Sequence, residues 1–445
     1  MIKSAIAVLT LLLLSDALTG AASPAPGDDA GQGTQARMAP QIPPSGNLKL
    51  PEGVSLERPL SEDHAVAIAL WNNAALQADL AALAVARADL LDAGLLRNPT
   101  LQLLLPFGYT QFEMLLNLPG EVLWQRPKRV AAAKVEVDRV AQGLEQNGLD
   151  VVRDVRCAYY DLQLAADRVR LSQEAVKLRT EIAALTDKRL RAGDISELEA
   201  NAARIEVSTA EEQLARNQSA RMSAHARLRF LLGLESEQVN FEIAARDTSG
   251  AAASSVPVVP GIEDLFKDAF AHRPDLLAAT LAIEAAAGRA KWERSRTFAF
   301  AELLSIKRGA GLDFSPRGGL LAELPVFHRN KGGITRADSE VERAGAQYLA
   351  VHHRIAQEVR EARTQLLQAN ESLVHYRSRI LPQAEEGVRL AGIAFQAGEE
   401  SYLLVLEATR SVIDARMREV ELVNEQRRAL AQLERSIGRR RDAKF

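Results

Sequence analysis

The sequence predicts a mainly α protein with a small β part, built from duplicated long antiparallel helical hairpins. Three observations carry that reading. Apolar residues reach 47% of the 445 residues while aromatics stop at 5%, and the apolar share is rich in Ala and Leu, a composition of long, closely packed helices. The second half of the chain repeats the plan of the first. The longest segments carry apolar residues every seven positions on two opposed faces, where a simple two-stranded coiled coil needs one.

Composition also excludes. Charged residues are 25% with a net charge of −3, so the chain is neither a lopsided disordered segment nor a basic nucleic-acid binder. A single cysteine, Cys157, rules out a disulfide scaffold.

The N-terminus reads as an export address. Lys3, the apolar run Ala5 to Leu14 and the small residues Gly20, Ala21 and Ala22 form the three parts of a signal peptide over 1–22. The run is too short to span a bilayer, which takes ~20 apolar residues. Leu18-Thr19-Gly20 resembles the start of a lipoprotein signal, but Ala21 stands where the lipidated cysteine would be, so no lipid anchor is expected. Residues 23–59 form an extended Pro/Gly-rich arm. A similar stretch, 244–260, is a linker between a first repeat (60–243) and a second (261–437), with a tail at 438–445.

Three blocks support the duplication. Leu60–Leu76 answers Pro260–Leu276, Val122–Val140 answers Val326–Ala344, and Arg191–Leu198 answers Gln396–Leu403. The offset drifts only from 200, at Leu60 against Pro260, to 205, at Arg191 against Gln396. Each copy opens with a helix, Ser61 to Leu96 and Ile262 to Arg294. A β-like stretch follows, then a long helix, Ala131–Arg191 and Ile334–Gln396, a glycine turn, and a return helix, Ser196–Leu232 and Ser401–Ile437.

In the first long helix Leu164, Leu171, Leu178 and Leu185 make one heptad row, and Leu162, Val169, Val176, Ala183 and Leu190 another, roughly 200° away. The second copy has Leu367, Val374, Leu381, Val388 and Phe395, with a weaker row through Ala362, Ala369, Tyr376, Gln383 and Leu390. Helices with apolar seams on both flanks stand side by side as a curved palisade, part of an α-barrel. Pro382 interrupts the second long helix and predicts a local kink.

The β-like stretches predict one hairpin per copy, 100–118 around Phe107-Gly108-Tyr109 and 297–327 around Arg308-Gly309-Ala310-Gly311. Phe298, Phe300, Leu304 and Ile306 alternate as a one-sided strand requires. Four strands cannot close a membrane barrel, whose smallest single-chain form has eight; three chains would supply twelve. The first hairpin only just reaches the ~9–11 residues of a bilayer strand, and Pro106 lies in it. Ordinary soluble hairpins are the alternative.

These residues resemble the TolC-type outer-membrane efflux family, the outer membrane factors. The likeness spans about Leu60 to Ile437. It rests on Leu95-Leu96-Arg97-Asn98-Pro99-Thr100, Leu324-Pro325-Val326-Phe327, Leu381-Pro382-Gln383-Ala384-Glu385-Glu386 and two Ala-Gly-x-x-Ser turns. The resemblance implies a homotrimer with a twelve-stranded β-barrel in outer-membrane lipid over a periplasmic α-helical tunnel. It also implies a role as exit duct of a tripartite efflux or type I-like export system, served by a periplasmic adaptor and an inner-membrane pump in a Gram-negative bacterium.

The family's adaptor-docking turns map onto Ala192, Gly193, Asp194 and Ser196, and onto Ala397, Gly398, Glu399 and Ser401. Glycine permits the positive φ that ends a helix, and Ser196 and Ser401 can N-cap the return helices. Glu197, immediately after Ser196, stands at the wrong spacing for a capping box, so none is expected. For the constriction that the family places near these turns, the candidates are Asp187, Arg191, Arg389 and Glu400, alongside the acidic tip residues. Arg389 lies where the family often places an acid, and an Arg–Asp network locking the tips is one reading of these charges.

No phosphate-binding loop, dinucleotide fingerprint or nucleophile elbow occurs. His352 and His353 are adjacent and diverge by ~100° on a helix, so they cannot share a metal. Cys157 sits among apolar helix residues. The expectation is no enzyme, no cofactor, no metal site and no nucleic-acid partner. The rival readings are a soluble periplasmic coiled-coil structural or adaptor protein, and a degenerate family member that assembles without conducting.

Overall fold

Each half opens on a broken helix. In the computed structural model, which describes residues 50–51, 56, 58–104, 113–120, 122–234, 241–244, 259–297, 299–308, 314–323, 326–397 and 402–438, the first helix of each copy is two. Helix α1 (Glu62–Asn72) stops at Asn73, whose side chain accepts from the N–H groups of Ala75 and Leu76 and so starts α2 (Ala74–Gly94). Helix α5 (Ile262–His272) stops at Arg273, and Pro274 opens α6 (Pro274–Ser295) at the first position, where a missing N–H costs nothing. The single helices expected over Ser61–Leu96 and Ile262–Arg294 are thereby corrected.

The long helix α3 runs Val122–Ala192, 71 residues or ~105 Å. It starts well before the expected Ala131 and tolerates Pro127 near its beginning. The return helix α4 covers Glu197–Leu231. In the second half α7 (Lys331–His375) passes through one π turn, Tyr376–Ile380, into α8 (Leu381–Ala397), and α9 (Tyr402–Ser436) returns. The π turn lies immediately ahead of Pro382, which offers no N–H to the preceding turn; the interruption expected from Pro382 takes this widened form.

The rods stand in one layer. Helix α3 packs on α4 at one flank and on α9 at the other, and α9 packs on α7 and α8. Polar pairs record an antiparallel register along every seam. From α3 to α9, Asp150 pairs with Arg435, Asp161 with Arg428 and Arg168 with Glu421. From α3 to α4, Ser172 meets Asn217, Arg179 meets Glu206 and Asp187 meets Arg204. From α7–α8 to α9, Asn370 meets Gln426, Arg377 meets Glu419 and Glu385 meets Arg416.

The upper tier repeats the lower one. Helix α3 extends upward between α2 and α6, and α6 packs on α7 as well. Gly233, after α4, approaches Asn72 at the α1–α2 break, and Gly438, after α9, approaches His272 and Arg273 at the α5–α6 break. The wall therefore has four columns: α2 above α4, then α3, then α6 above α9, then α7 with α8.

Two equivalent cores tie the tiers together. One gathers Ile68, Leu76, Val155, Tyr159, Leu228 and Leu232; the other gathers Leu265, Leu276, Ile355, Val359, Leu433 and Ile437. A buried belt of charge crosses the same level. Arg273, fully buried, pairs with Asp275 and Glu358. Arg435 joins Glu358 to Asp150, and Arg156 holds both Glu62 and Glu434.

Strands β1 (Thr100–Leu104), β2 (Glu113–Pro119), β3 (Ala299–Arg308) and β4 (Phe314–Glu323) form one antiparallel sheet in that order. The two expected hairpins stand side by side in a single sheet, because β2 pairs with β3 across the two halves. The two turns, with Pro106, lie outside the described residues apart from Arg308, the last residue of β3.

The register puts Leu101, Leu116 and Leu304 in one row and Leu103, Met114 and Ile306 in another. By the two-residue pleat both rows fall on one side of the sheet, while the rows Thr100, Asn117, Leu303 and Gln102, Leu115, Ser305 hold positions on the other. Strands β3 and β4 have 10 residues each, enough to cross a bilayer. Among the described residues no helix is long and apolar enough to cross a membrane.

Candidate functional site

The first hairpin tip is built by three local devices. Gly193 adopts φ +80°, and a Cβ there would meet nothing, so the constraint is conformational alone. Its N–H donates to the Leu190 carbonyl at 3.1 Å, and that of Asp194 donates to Arg189 at 3.0 Å, the paired bonds of a Schellman stop. Ser196 then caps α4: its Oγ accepts from the Glu199 N–H at 3.3 Å, and the Glu199 carboxylate accepts from the Ser196 N–H at 3.0 Å. A capping box does form, against the sequence-based expectation, because the acid that matters is Glu199, three residues on, and not Glu197.

Just above the tip, Ala183, Ala203 and Phe395 form a small apolar cluster that draws in Val405 and Leu406 and joins the two hairpins. The Arg189 guanidinium lies 4.0 Å from the centroid of the Phe395 ring.

The charges predicted for a constriction are not gathered into one network here. Asp187 pairs with Arg204 across α3 and α4 at 2.7 Å. Arg389 clasps Glu386 one turn earlier on its own helix, at 2.7 and 2.5 Å, and this hydrogen bond holds the Glu386 carboxyl below the usual carboxylate range. Arg191 is exposed at the end of α3. Among the described residues of the single chain neither Arg191 nor Arg389 is paired with an aspartate. Ala397 closes α8, whereas Gly398, Glu399, Glu400 and Ser401 lie outside the described residues.

The predicted seams divide by position in the wall. Leu162, Val169 and Ala183 of α3 are buried inside it. Leu171 is buried in the other row, but Leu178 and Leu185 stay 36% and 44% exposed. On α7 the buried stripe is Ile355, Val359, Ala362, Leu366, Ala369 and Leu373, facing the interior, while Leu367 and Val374 of the stronger predicted row are bare. The two outer columns end in uncovered apolar residues: Leu198, Ile205, Met222 and Phe230 on α4, and Leu367, Val374 and Leu390 on α7 and α8.

Several positions escaped the sequence reading. Arg126 and Arg129 of α3 donate to the carbonyls of Gly94, Ala93 and Leu95, closing the end of α2. Asn330, at φ 51°, donates to the Glu293 carbonyl near the end of α6. Asn73 and Pro274 were readable as helix starts. The arginine donors were not, since they reach more than 30 residues back along the chain. Cys157 is half-buried, and burial pushes its thiol up. His352 stacks on Phe270 with ring centroids 4.3 Å apart.

A single-layer wall of antiparallel rods under a small antiparallel sheet is the subunit architecture of outer-membrane channels. The crystal structure of CusC, studied for the changes that accompany folding and transmembrane channel formation, superposes with TM-score 0.72 at 19% identity, covering 85% of this chain and 92% of that one. The outer membrane protein VceC of Vibrio cholerae gives TM-score 0.70 at 20% identity over 85% and 96%. In sequence, the cobalt-zinc-cadmium resistance protein CzcC of Cupriavidus metallidurans is 25% identical over 389 residues, 86% of this chain and 90% of that protein. The chain belongs to the outer membrane efflux protein family, whose profile matches residues 65–234 and 265–439. Membership places it among efflux channels of the outer membrane and not among enzymes.

Proposed function

We propose that three copies of this chain form an exit duct that passively conducts cargo from a periplasmic adaptor and an inner-membrane pump to the cell exterior. The observation that carries this reading is the incompleteness of the single chain. Among the described residues its wall ends in exposed apolar rows on α4 and on α7–α8, and its sheet ends in two edge strands without a further strand partner, β1 and β4. Unpaired edges and large uncovered apolar rows call for partners. Three copies close both deficits at once, with twelve strands above and twelve rod columns below.

In this reading 1–22 is a cleaved export signal, and the halves 60–243 and 261–437 are repeats. The adaptor engages the tip turn Ala192 to Ser196 and its counterpart in the second repeat, Ala397 to Ser401. Asp187, Arg191, Arg389 and Glu400 sit near the narrowest level. The likeness to CzcC across most of both chains favours divalent metal cations as cargo.

The test is to extract the protein from outer membranes in mild detergent and measure its mass by light scattering. Then a deletion strain is challenged with cobalt, zinc and cadmium salts. A trimer, and metal sensitivity that plasmid-borne protein reverses, are expected. A monomer in the soluble fraction would favour the coiled-coil spacer instead, and unchanged metal tolerance would remove the cation assignment alone.

A further inference from the structure

We propose that the two apolar corners at the base of the sheet form a joint between neighbouring copies, with Val326 and Phe327 of one copy seated on Leu95 and Leu96 of the next. Strand β1 begins and β4 ends at the helical end of the sheet, and these two are its open edges. Leu95 and Leu96 lead into β1, and Val326 and Phe327 follow β4. All four are exposed, and Phe327 is wholly bare. The backbone around them is fixed: Arg129 donates to the Leu95 carbonyl at 2.8 Å, and Asn330 is anchored to Glu293 at 3.0 and 2.8 Å.

The chain contains its own template for this joint. Where β2 pairs with β3, the two halves meet as two copies would meet where β4 pairs with β1. Beneath that internal join Trp124 donates to the Ser295 carbonyl at 3.4 Å. Arg289 there pairs with Glu136 at 3.1 Å, and Gly288 sits so close to Ala132 that an added Cβ would lie 3.1 Å from the alanine's.

The repeat alignment places Val326-Phe327-His328 where Val122-Leu123-Trp124 stands, and Leu95 where Ser295 stands. Applying the internal join to the open edges brings the Val326–His328 corner onto Leu95. Helix α6 has long neighbours on both sides, α3 and α7, and buries Ala285; α2 packs on α3 and leaves Val85, the residue aligned with Ala285, bare. The missing neighbour of α2 is then the start of α7 from the next copy. The occupant is therefore a second copy of this chain, because the corners continue strand edges that need strands.

The proposal rests on the trimer reading, and the experiment separates the two. Leu95→Cys and Phe327→Cys are combined in a Cys157→Ser background and treated with a short bis-maleimide in outer membranes. Covalent dimers and trimers are expected from the double variant and neither from the single variants, while light scattering in detergent reports the oligomer independently. A trimer without cross-linking overturns the joint and leaves the trimer standing; a monomeric particle overturns both. Phe327→Trp supplies a second readout. Quenching by brominated phospholipid beyond that of the parent protein, whose three native tryptophans set the baseline, would mean that lipid covers the corner, and would overturn the joint.

Discussion

Among the described residues three glycines end helices at positive φ, and they differ in what surrounds them. At Gly193 a Cβ meets open space, so Gly193→Ala carries only the left-handed penalty, ~1–2 kcal/mol. At Gly233 a Cβ would lie 2.5 Å from the Asn72 carbonyl oxygen, and at Gly438 2.8 Å from that of His272. Those neighbours are backbone at the helix breaks and cannot swing aside. Gly233→Ala and Gly438→Ala should therefore lower the melting temperature of the detergent-solubilised protein well beyond Gly193→Ala. Equal losses in all three would show that the close approach at the breaks is unimportant. Cys157 offers a second check. With its thiol pushed up by burial, it stays protonated at neutral pH, and maleimide should label it slowly in the native protein and quickly in denaturant. Gly193 was legible as a turn residue, but Gly233 and Gly438 were not singled out. What they press against left no sequence signal, because the breaks lie some 160 residues earlier in the chain.

At the scale of elements, the seams are held by charge as well as by apolar contact. The hydrogen bond from Arg139 pulls the Glu136 carboxyl down, against burial, with Arg289 adding to the pull. Burial raises Glu421, but hydrogen bonds from Arg418 and Arg168 outweigh it, and the net shift is downward. A carboxylate whose folded pKa lies below its unfolded value stabilises the fold above that unfolded value, ~4.3. The contribution is lost as pH falls through the folded value. The joins of α3 with α6 and α9 should thus weaken below about pH 4.3, and thermal scans from pH 7 to pH 3 should show a steep acid loss that Glu136→Gln and Glu421→Gln flatten. An unchanged slope in both variants would move the acid sensitivity elsewhere. The long helices were readable because heptad rows and glycine stops are local patterns. The union of β2 with β3 was not, because it joins segments from opposite halves. The belt from Asp150 through Arg435 and Glu358 to Arg273 draws on separate helices and leaves no spacing to detect.

At the scale of the whole molecule, the question is what charge the narrow end presents to cargo. Glu386 carries Arg389 one turn away, and Asp187 carries Arg204 across the hairpin. These two acids thus each have a cation within 3 Å, far inside the ~8–10 Å screening length. In a trimer these pairs recur three times, and a ring of neutralised pairs selects ions far less than a ring of bare carboxylates. Arg389→Ala would leave three Glu386 carboxylates uncompensated, and Arg204→Ala would do the same for Asp187. Both should shift the reversal potential in planar bilayers under a salt gradient toward stronger cation selectivity, with Arg389→Glu shifting it further. The ordering follows from counting charges around the axis. If Arg389→Ala conducts with wild-type selectivity while Arg204→Ala does not, the selecting ring lies at Asp187 and the Glu386–Arg389 pair faces away from the lumen.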